Sequence, residues 1–161
     1  MSLLDHPNEL SIGTASPFDP DSRILLSNLR EELLGKYPDE LRDLPFGPEE
    51  VAMEGAAFLL ARLGENVVGC GAIRPLAPGV AELKRMFVVP EARGRGVGRA
   101  LLQRLEDSAG TMGYAFMRLE TGLKQPEAIA LYESAGYKPC ECYGQYSSNE
   151  MSVCFEKRLG R

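Results

Sequence analysis

Apolar residues along this chain follow two periodicities, one typical of strands and one typical of helices. Together they predict a mixed α/β fold. Alternating or continuous apolar runs bounded by glycine or proline indicate strands, and apolar residues three and four apart indicate helices. The predicted strands cover residues 10–15, 56–63, 67–74, 80–89, 115–121, 137–143 and 151–157. The predicted helices cover 21–35, 97–112 and 126–135, and the proline-punctuated connector 37–48 holds one more turn around 40–44. The short turns between the second, third and fourth strands predict an antiparallel meander.

Length and composition limit the architecture to one domain. The chain has 161 residues, of which 44% are hydrophobic and 25% charged, enough for one core across residues 1–161. The longest apolar run, residues 56–61, is far short of the ~20 residues that cross a bilayer. Acidic residues and a proline occupy the N-terminus where a secretory signal needs a basic start and an apolar run. We therefore expect a cytoplasmic protein without a membrane span.

The cysteines favour neither metal binding nor disulfides. Cys70, Cys140, Cys142 and Cys154 form no C-x-x-C pair, and the one histidine, His6, lies near the N-terminus. We expect no metal site and four reduced, partly buried thiols.

Charge is distributed unevenly. The net charge of −5 argues against general nucleic-acid binding. Residues 84–104 nevertheless hold six cations and one carboxylate, a net charge of +5, while the rest of the chain carries −10. A cationic segment on an acidic chain favours a small anionic ligand, and a solvated helix face is the alternative.

Glycines alternate with arginines in residues 93–99, Arg-Gly-Arg-Gly-Val-Gly-Arg, a loop that opens the predicted helix at 97–112. Unpaired N–H groups and the helix dipole favour an anion at such a place, and glycines let phosphate oxygens approach the backbone. A Rossmann motif would need glycine at Arg99, and a P-loop would need lysine there, so both fail. The remaining pattern is [Q/R]-x-x-G-x-G.

This pattern, between the strand at 80–89 and the helix at 97–112, resembles motif A of the GNAT acetyltransferases. Residues 128–137, Ala-Ile-Ala-Leu-Tyr-Glu-Ser-Ala-Gly-Tyr, resemble the motif B helix of the same family. The clear resemblance covers residues 66–159, and residues 1–65 match only in the order of their elements. It implies an α+β GNAT fold with a mostly antiparallel seven-stranded sheet, splayed between strands 4 and 5 and flanked by about four helices.

The resemblance also implies acetyl-CoA as co-substrate and no metal. Arg93 to Arg99 would hold the pyrophosphate, and backbone N–H groups of the preceding strand would bind the pantetheine and the acetyl carbonyl. Gln125 joins this predicted site, although many relatives have asparagine at that position. The implied cofactor-binding residues are Met86, Phe87, Val88, Val89, Arg93, Gly94, Arg95, Gly96, Val97, Gly98, Arg99 and Gln125.

Two residues are implied as catalytic by their positions in the motifs. Glu82 lies where several GNAT enzymes carry a glutamate that acts as general base, although a strand partner of Lys84 or Arg74 would look the same. Tyr132 coincides with the family tyrosine that donates a proton to the departing thiolate, although a core aromatic residue would also fit.

The predicted function is therefore transfer of acetyl from acetyl-CoA to a primary amine of a small metabolite, by direct attack in a ternary complex. A protein or peptide N-terminus as acceptor, and a non-catalytic acyl-CoA-binding module, are the alternatives. Residues 143–146 either line the acceptor site or form an exposed turn. The predicted partners are acetyl-CoA and a small-molecule amine, with a homodimer as an alternative to a monomer.

Overall fold

The computed structural model describes residues 9–160, and the interpretation of the first eight residues lies outside this range. The seven strands are β1 Leu10–Thr14, β2 Ala57–Leu63, β3 Asn66–Ala77, β4 Val80–Val88, β5 Phe116–Gly122, β6 Lys138–Cys140 and β7 Ser152–Arg158. The helices are α1 Pro20–Lys36, α2 Pro38–Leu41, α3 Val97–Thr111 and α4 Pro126–Ser134, with 3-10 turns at Pro48–Val51, Pro90–Ala92 and Gly144–Tyr146. Within the described range, no helix is long and apolar enough to cross a membrane.

The strands form one sheet in the order β1-β2-β3-β4-β5-β7-β6. Neighbouring strands are antiparallel except β4 and β5, which pair in parallel only through residues 80–82 and 116–118. Beyond Glu82 the two strands separate, and a gap opens between them. The predicted α+β fold and the splay between strands 4 and 5 are confirmed.

Two apolar clusters cover the two faces of the sheet. Successive side chains of β2 point to opposite faces, so Leu59 packs into one cluster with α3 and α4, and Leu60 into the other with α1. On α1, Leu25, Leu26 and Leu29 are each at most 5% exposed, and burying each contributes about 1.5–3 kcal/mol. The helices are thereby fixed around the gap between β4 and β5.

A bulge in β4 lies at the mouth of this gap. Cys70 pairs with Phe87 and Ala72 with Lys84, so Gly71 alone stands opposite two residues of β4. The first of these, Arg85, has a φ of 60°, a left-handed conformation unusual outside glycine. A β-carbon at Gly71 would lie 2.7 Å from the Met86 sulfur, so glycine lets the Met86 side chain pack closely opposite the bulge. The bulge changes the direction of the β4 side chains where the gap begins.

Two strands differ from their predicted bounds by more than one residue. β3 continues through Pro75 to Ala77, because pairing with β4 persists and a register shift there accommodates the proline. β6 is limited to Lys138–Cys140 rather than 137–143, since the chain turns away after its three residues pair with β7.

Candidate active site

A cavity of about 200 Å³ lies where β4 and β5 have separated. Its walls come from both strands, α1, the connector after α1, the start of α4 and the loop before β7. The residues that carry its chemistry are Glu50, Arg74, Lys84, Arg85, Met86, Glu120, Gln125, Tyr132, Tyr146 and Ser152. The cavity therefore brings motif B to the predicted pantetheine strand.

The glycine loop has the conformation that an anion-binding turn needs. Gly94 and Gly96 both have φ of 81°, which side chains with a β-carbon rarely adopt, and Gly96 is the N-cap of α3. The first N–H groups of this 15-residue helix have no partner within the helix. Gly98 has an ordinary φ, and a β-carbon there would lie 3.5 Å from Leu131 of α4. The loop thus lies against the helix that carries Tyr132.

The three arginines of the loop are not equivalent. Arg93 donates to the Val88 carbonyl at 2.8 Å and pairs with Glu32 of α1 at 2.8 Å, and Arg99 donates to the Ser134 hydroxyl of α4. For Arg95 no hydrogen bond or ion pair occurs within residues 9–160, and its side chain is exposed. Arg95 is the loop arginine with its donors open to an incoming phosphate.

The predicted backbone site at Met86 to Val89 is only partly open. The Val89 N–H donates to the Val68 carbonyl of β3 at 2.8 Å, so it is not available to a ligand. Because N–H groups alternate in direction along a strand, that of Val88 points toward the gap. Phe87 is only 6% exposed and packs into the cluster under α1, whereas Met86 lines the cavity.

Gln125 precedes Pro126 at the start of α4 and lines the cavity. Its side-chain oxygen accepts a hydrogen bond from the Gly122 N–H at 3.2 Å, which ties the end of β5 to α4. The side-chain amide still has its N–H donors for a ligand.

Tyr132 lies in the core and also lines the cavity. The residue is 6% exposed, and its ring packs edge-on against Tyr137 at 5.9 Å between centroids. Burial, and secondly the charge of Glu120, raises the pKa of Tyr132 above its ordinary value. The structure is compatible with both interpretations, because this core aromatic residue is also part of the cavity wall.

Glu82 is 2% exposed and is not among the residues that line the cavity. One carboxylate oxygen accepts from Arg74 Nε at 2.9 Å and the other from the Tyr143 hydroxyl at 3.0 Å. Lys84 Nζ lies 3.9 Å away. The structure therefore shows the strand partnership with both cations, and the base role of Glu82 stays a prediction.

The structure places a different carboxylate on the cavity wall, Glu120 of β5. It accepts a hydrogen bond from the Ser152 hydroxyl at 2.6 Å. Desolvation, with a smaller contribution from the charge of Glu82, raises the pKa of Glu120. Alternation along β5 contained the signal, since Met117 and Leu119 point to the core and Glu120 to the other face.

The loop before β7 contributes to the cavity, as one interpretation of residues 143–146 predicted. Tyr146 lines it and accepts a hydrogen bond from Lys84 Nζ at 2.7 Å.

The expectation of four reduced thiols is wrong, because a disulfide joins Cys142 to Cys154 of β7. Pairing of β6 with β7 brings the chain after Cys140 alongside Cys154, a proximity that spacing alone did not reveal. Within residues 9–160, no three potential metal ligands cluster.

Comparison with known proteins identifies the family. Residues 24–137 match the model of the acetyltransferase (GNAT) family. The chain is 39% identical over 154 residues to an IAA acetyltransferase from Azospirillum brasilense, covering 95% of this chain and 99% of that one. The structure of a Klebsiella pneumoniae protein assigned as an acyl-CoA N-acyltransferase is 32% identical, with a TM-score of 0.78 and coverage of 95% and 99%. PaiA N-acetyltransferase from Thermoplasma acidophilum, solved with coenzyme A, shares the fold at 21% identity and a TM-score of 0.73, with coverage of 94% and 99%. The chain therefore belongs to the GNAT acetyltransferase family.

Proposed function

We propose that this protein, as a single GNAT domain, transfers acetyl from acetyl-CoA to the primary amine of a small molecule in a ternary complex. The observation that supports this most is the joint placement of Tyr132 and Glu120 on a cavity of about 200 Å³ between the splayed strands. The glycine loop lies against the same helix that carries Tyr132. Arg95 and the first N–H groups of α3 would bind the diphosphate.

In this proposal the amine nitrogen attacks the thioester carbonyl carbon, a C–N bond forms and the C–S bond breaks. The Val88 N–H, directed into the gap, stabilises the oxyanion of the tetrahedral intermediate. The Tyr132 hydroxyl, kept protonated by burial, gives its proton to the departing thiolate.

Glu120 receives the proton that the ammonium of the acceptor must lose before its nitrogen can attack. We assign this role to Glu120 because it lines the cavity and has no cation within 4.0 Å in the described part of the chain. Its raised pKa makes it a stronger base than an exposed glutamate. Glu82, bonded to Arg74 and Tyr143, has a positioning role beside it.

Cofactor binding is tested by thermal shift. Acetyl-CoA should raise Tm, by the equivalent of about 2.7 kcal/mol at 100 times its Kd, and NAD should not. Gly96→Val should abolish the shift, because valine does not tolerate the φ of 81°. Gly110→Val, on the exposed face of the same helix and without a positive φ, is the matched control.

Transfer is tested by measuring thiol release with a panel of small amines, amino acids and peptides. The proposal expects amine-dependent release that exceeds slow hydrolysis, with the acetylated amine found by mass spectrometry. Turnover with peptides alone would contradict the small-molecule assignment. Cofactor binding without turnover of any amine would contradict the proposed transfer.

A further inference from the structure

Most charged side chains on the cavity wall are neutralised by the protein itself. Arg74 is paired with Glu82 at 2.9 Å and lies 3.7 Å from a carboxylate oxygen of Glu50. Lys84 donates to the Tyr146 hydroxyl at 2.7 Å and lies 3.9 Å from Glu82. Both cations thus have a carboxylate of the protein within 4.0 Å, and the charge of Lys84 also acts on Glu120.

Among the cavity-lining cations of the described residues, Arg85 is the one without a carboxylate partner. Its guanidinium lies over the Phe46 ring at 3.8 Å and donates to the Pro45 carbonyl at 3.4 Å. Within residues 9–160, no carboxylate lies within 4.0 Å of it, and its buried Nε has no hydrogen-bond partner. A half-buried guanidinium whose enclosed Nε lacks a partner is unfavourable unless an anion offsets its charge. Arg85 therefore offers its charge and its terminal N–H donors to a carboxylate.

The backbone conformation of Arg85 is a second observation that points to a ligand site. Arg85 is the one non-glycine residue in the described part of the chain with a positive φ, and it lies in the β4 bulge. Strained backbone of this kind clusters at ligand sites, where the strain places a side chain. Here the bulge directs the Arg85 side chain toward Phe46 and the cavity.

Glu120 is the carboxylate inside the cavity without a cation within 4.0 Å among the described residues. The hydroxyl of Ser152 donates a hydrogen bond to it. Glu40, which also lines the cavity, is exposed to solvent. The cavity thus presents one unpaired cation and one unpaired carboxylate. The apolar part of the wall comes from Leu29, Leu33, Leu41, Leu44, Phe46 and Met151. A ligand that matches all three features carries an amine, a carboxylate and an apolar group.

We infer that the acceptor is a free amino acid with an apolar side chain, whose carboxylate pairs with Arg85 and whose amine lies at Glu120. This inference rests on the proposed acetyl transfer and specifies its substrate. The amine nitrogen gains the acetyl group, coenzyme A leaves as the thiol, and the carboxylate is unchanged. A peptide N-terminus has an amide where this site places the carboxylate, so the inference favours free amino acids over peptides.

The test compares kcat/KM for L-leucine, L-leucinamide and 3-methylbutylamine, which share the amine and the apolar group. L-leucine should exceed both by about 10-fold or more, as expected for a buried charge-assisted pair. Against leucinamide the bias of amine reactivity runs the other way, because leucinamide has the less basic amine and more of it is free at neutral pH.

The variant Arg85→Gln should bring the ratio of leucine to leucinamide close to one, and thermal unfolding checks that it is folded. Arg85→Asn, which tolerates a positive φ, replaces it if it fails to fold. Arg62→Gln removes a surface cation of β2 that pairs with Asp21, and should retain the wild-type ratio.

Equal kcat/KM for leucine and leucinamide, or a preference that survives Arg85→Gln, would overturn the inference while leaving acetyl transfer in place. If no amine is acetylated, the proposed function fails. Recognition of a carboxylate by Arg85 is then tested separately, by the binding of N-acetyl amino acids. N-acetyl-L-leucine should then raise Tm of the coenzyme A complex more than N-acetyl-L-leucinamide, in wild type but not in Arg85→Gln. Equal shifts from both compounds would refute it.

Discussion

Two glutamates on neighbouring strands have opposite surroundings. Glu82 on β4 is 2% exposed, and both of its oxygens are bonded, to Arg74 and Tyr143. Glu120 on β5 lines the cavity and receives one hydrogen bond, from Ser152. A buried carboxylate with complete partners stabilises the fold, and one with an open side at a cavity can exchange protons with a ligand. The following substitutions separate the two roles.

Glu120→Gln should have the largest effect. It keeps the shape and removes the basic oxygen, so kcat/KM for an amine should fall by about 10²-fold or more, while acetyl-CoA binding is unchanged. Steady-state kinetics and a coenzyme A thermal shift measure the two quantities. Near-wild-type turnover would transfer the base role to Glu82 or to water.

The same variant has a distinct pH signature. Burial raises the pKa of Glu120 in the folded state, so its contribution to stability is present at low pH and is lost as pH rises through the folded pKa. As the pH rises above about 4, the ordinary pKa of a glutamate, wild type should therefore lose stability relative to Glu120→Gln. Denaturant unfolding at each pH measures this, and parallel curves would contradict the raised pKa.

Glu82→Gln should act on stability rather than on chemistry. It leaves Arg74 without its closest partner, and breaking a buried pair costs about 3 kcal/mol. Tm should fall, while the folded fraction retains the wild-type pH profile. A variant with unchanged Tm, whose lost turnover returned as pH rose, would instead make Glu82 the base.

The sequence predicted the fold around the two glutamates better than their surroundings. Periodic apolar positions and the resemblance of two motifs were sufficient for the seven strands, the splay and the position of Tyr132, because these depend on local pattern and chain order. The strand pattern named Arg74 and Lys84 as alternative partners of Glu82. The contact of Tyr143 with Glu82, 61 positions apart, and the place of Glu120 on the cavity wall depend on contacts across the sheet. The pairing of Cys142 with Cys154 was missed for the same reason.

Tyr132→Phe should lower kcat by about 10²-fold and leave acetyl-CoA affinity nearly unchanged, because it removes the proton donor and keeps the packing. Tyr137→Phe is the matched control. Its ring lies 5.9 Å from that of Tyr132, but its hydroxyl donates to Glu106 in the core. The control should lose about 1 kcal/mol of stability and retain kcat. Equal kcat values in both variants would make Tyr132 a core aromatic residue only.

The smallest expected effects come from removing the hydroxyl that donates to each carboxylate. Tyr143→Phe deletes a bond to Glu82 and should cost about 1 kcal/mol of stability without moving the pH–rate profile. Ser152→Ala deletes the bond to Glu120 that lowers the pKa of that carboxyl, so the acidic limb of kcat/KM should move to higher pH. The pair is informative because each variant loses one hydroxyl beside one glutamate. If Tyr143→Phe moved the limb and Ser152→Ala did not, Glu82 would be the group whose ionisation controls turnover, and the assignment of the two carboxylates would be reversed.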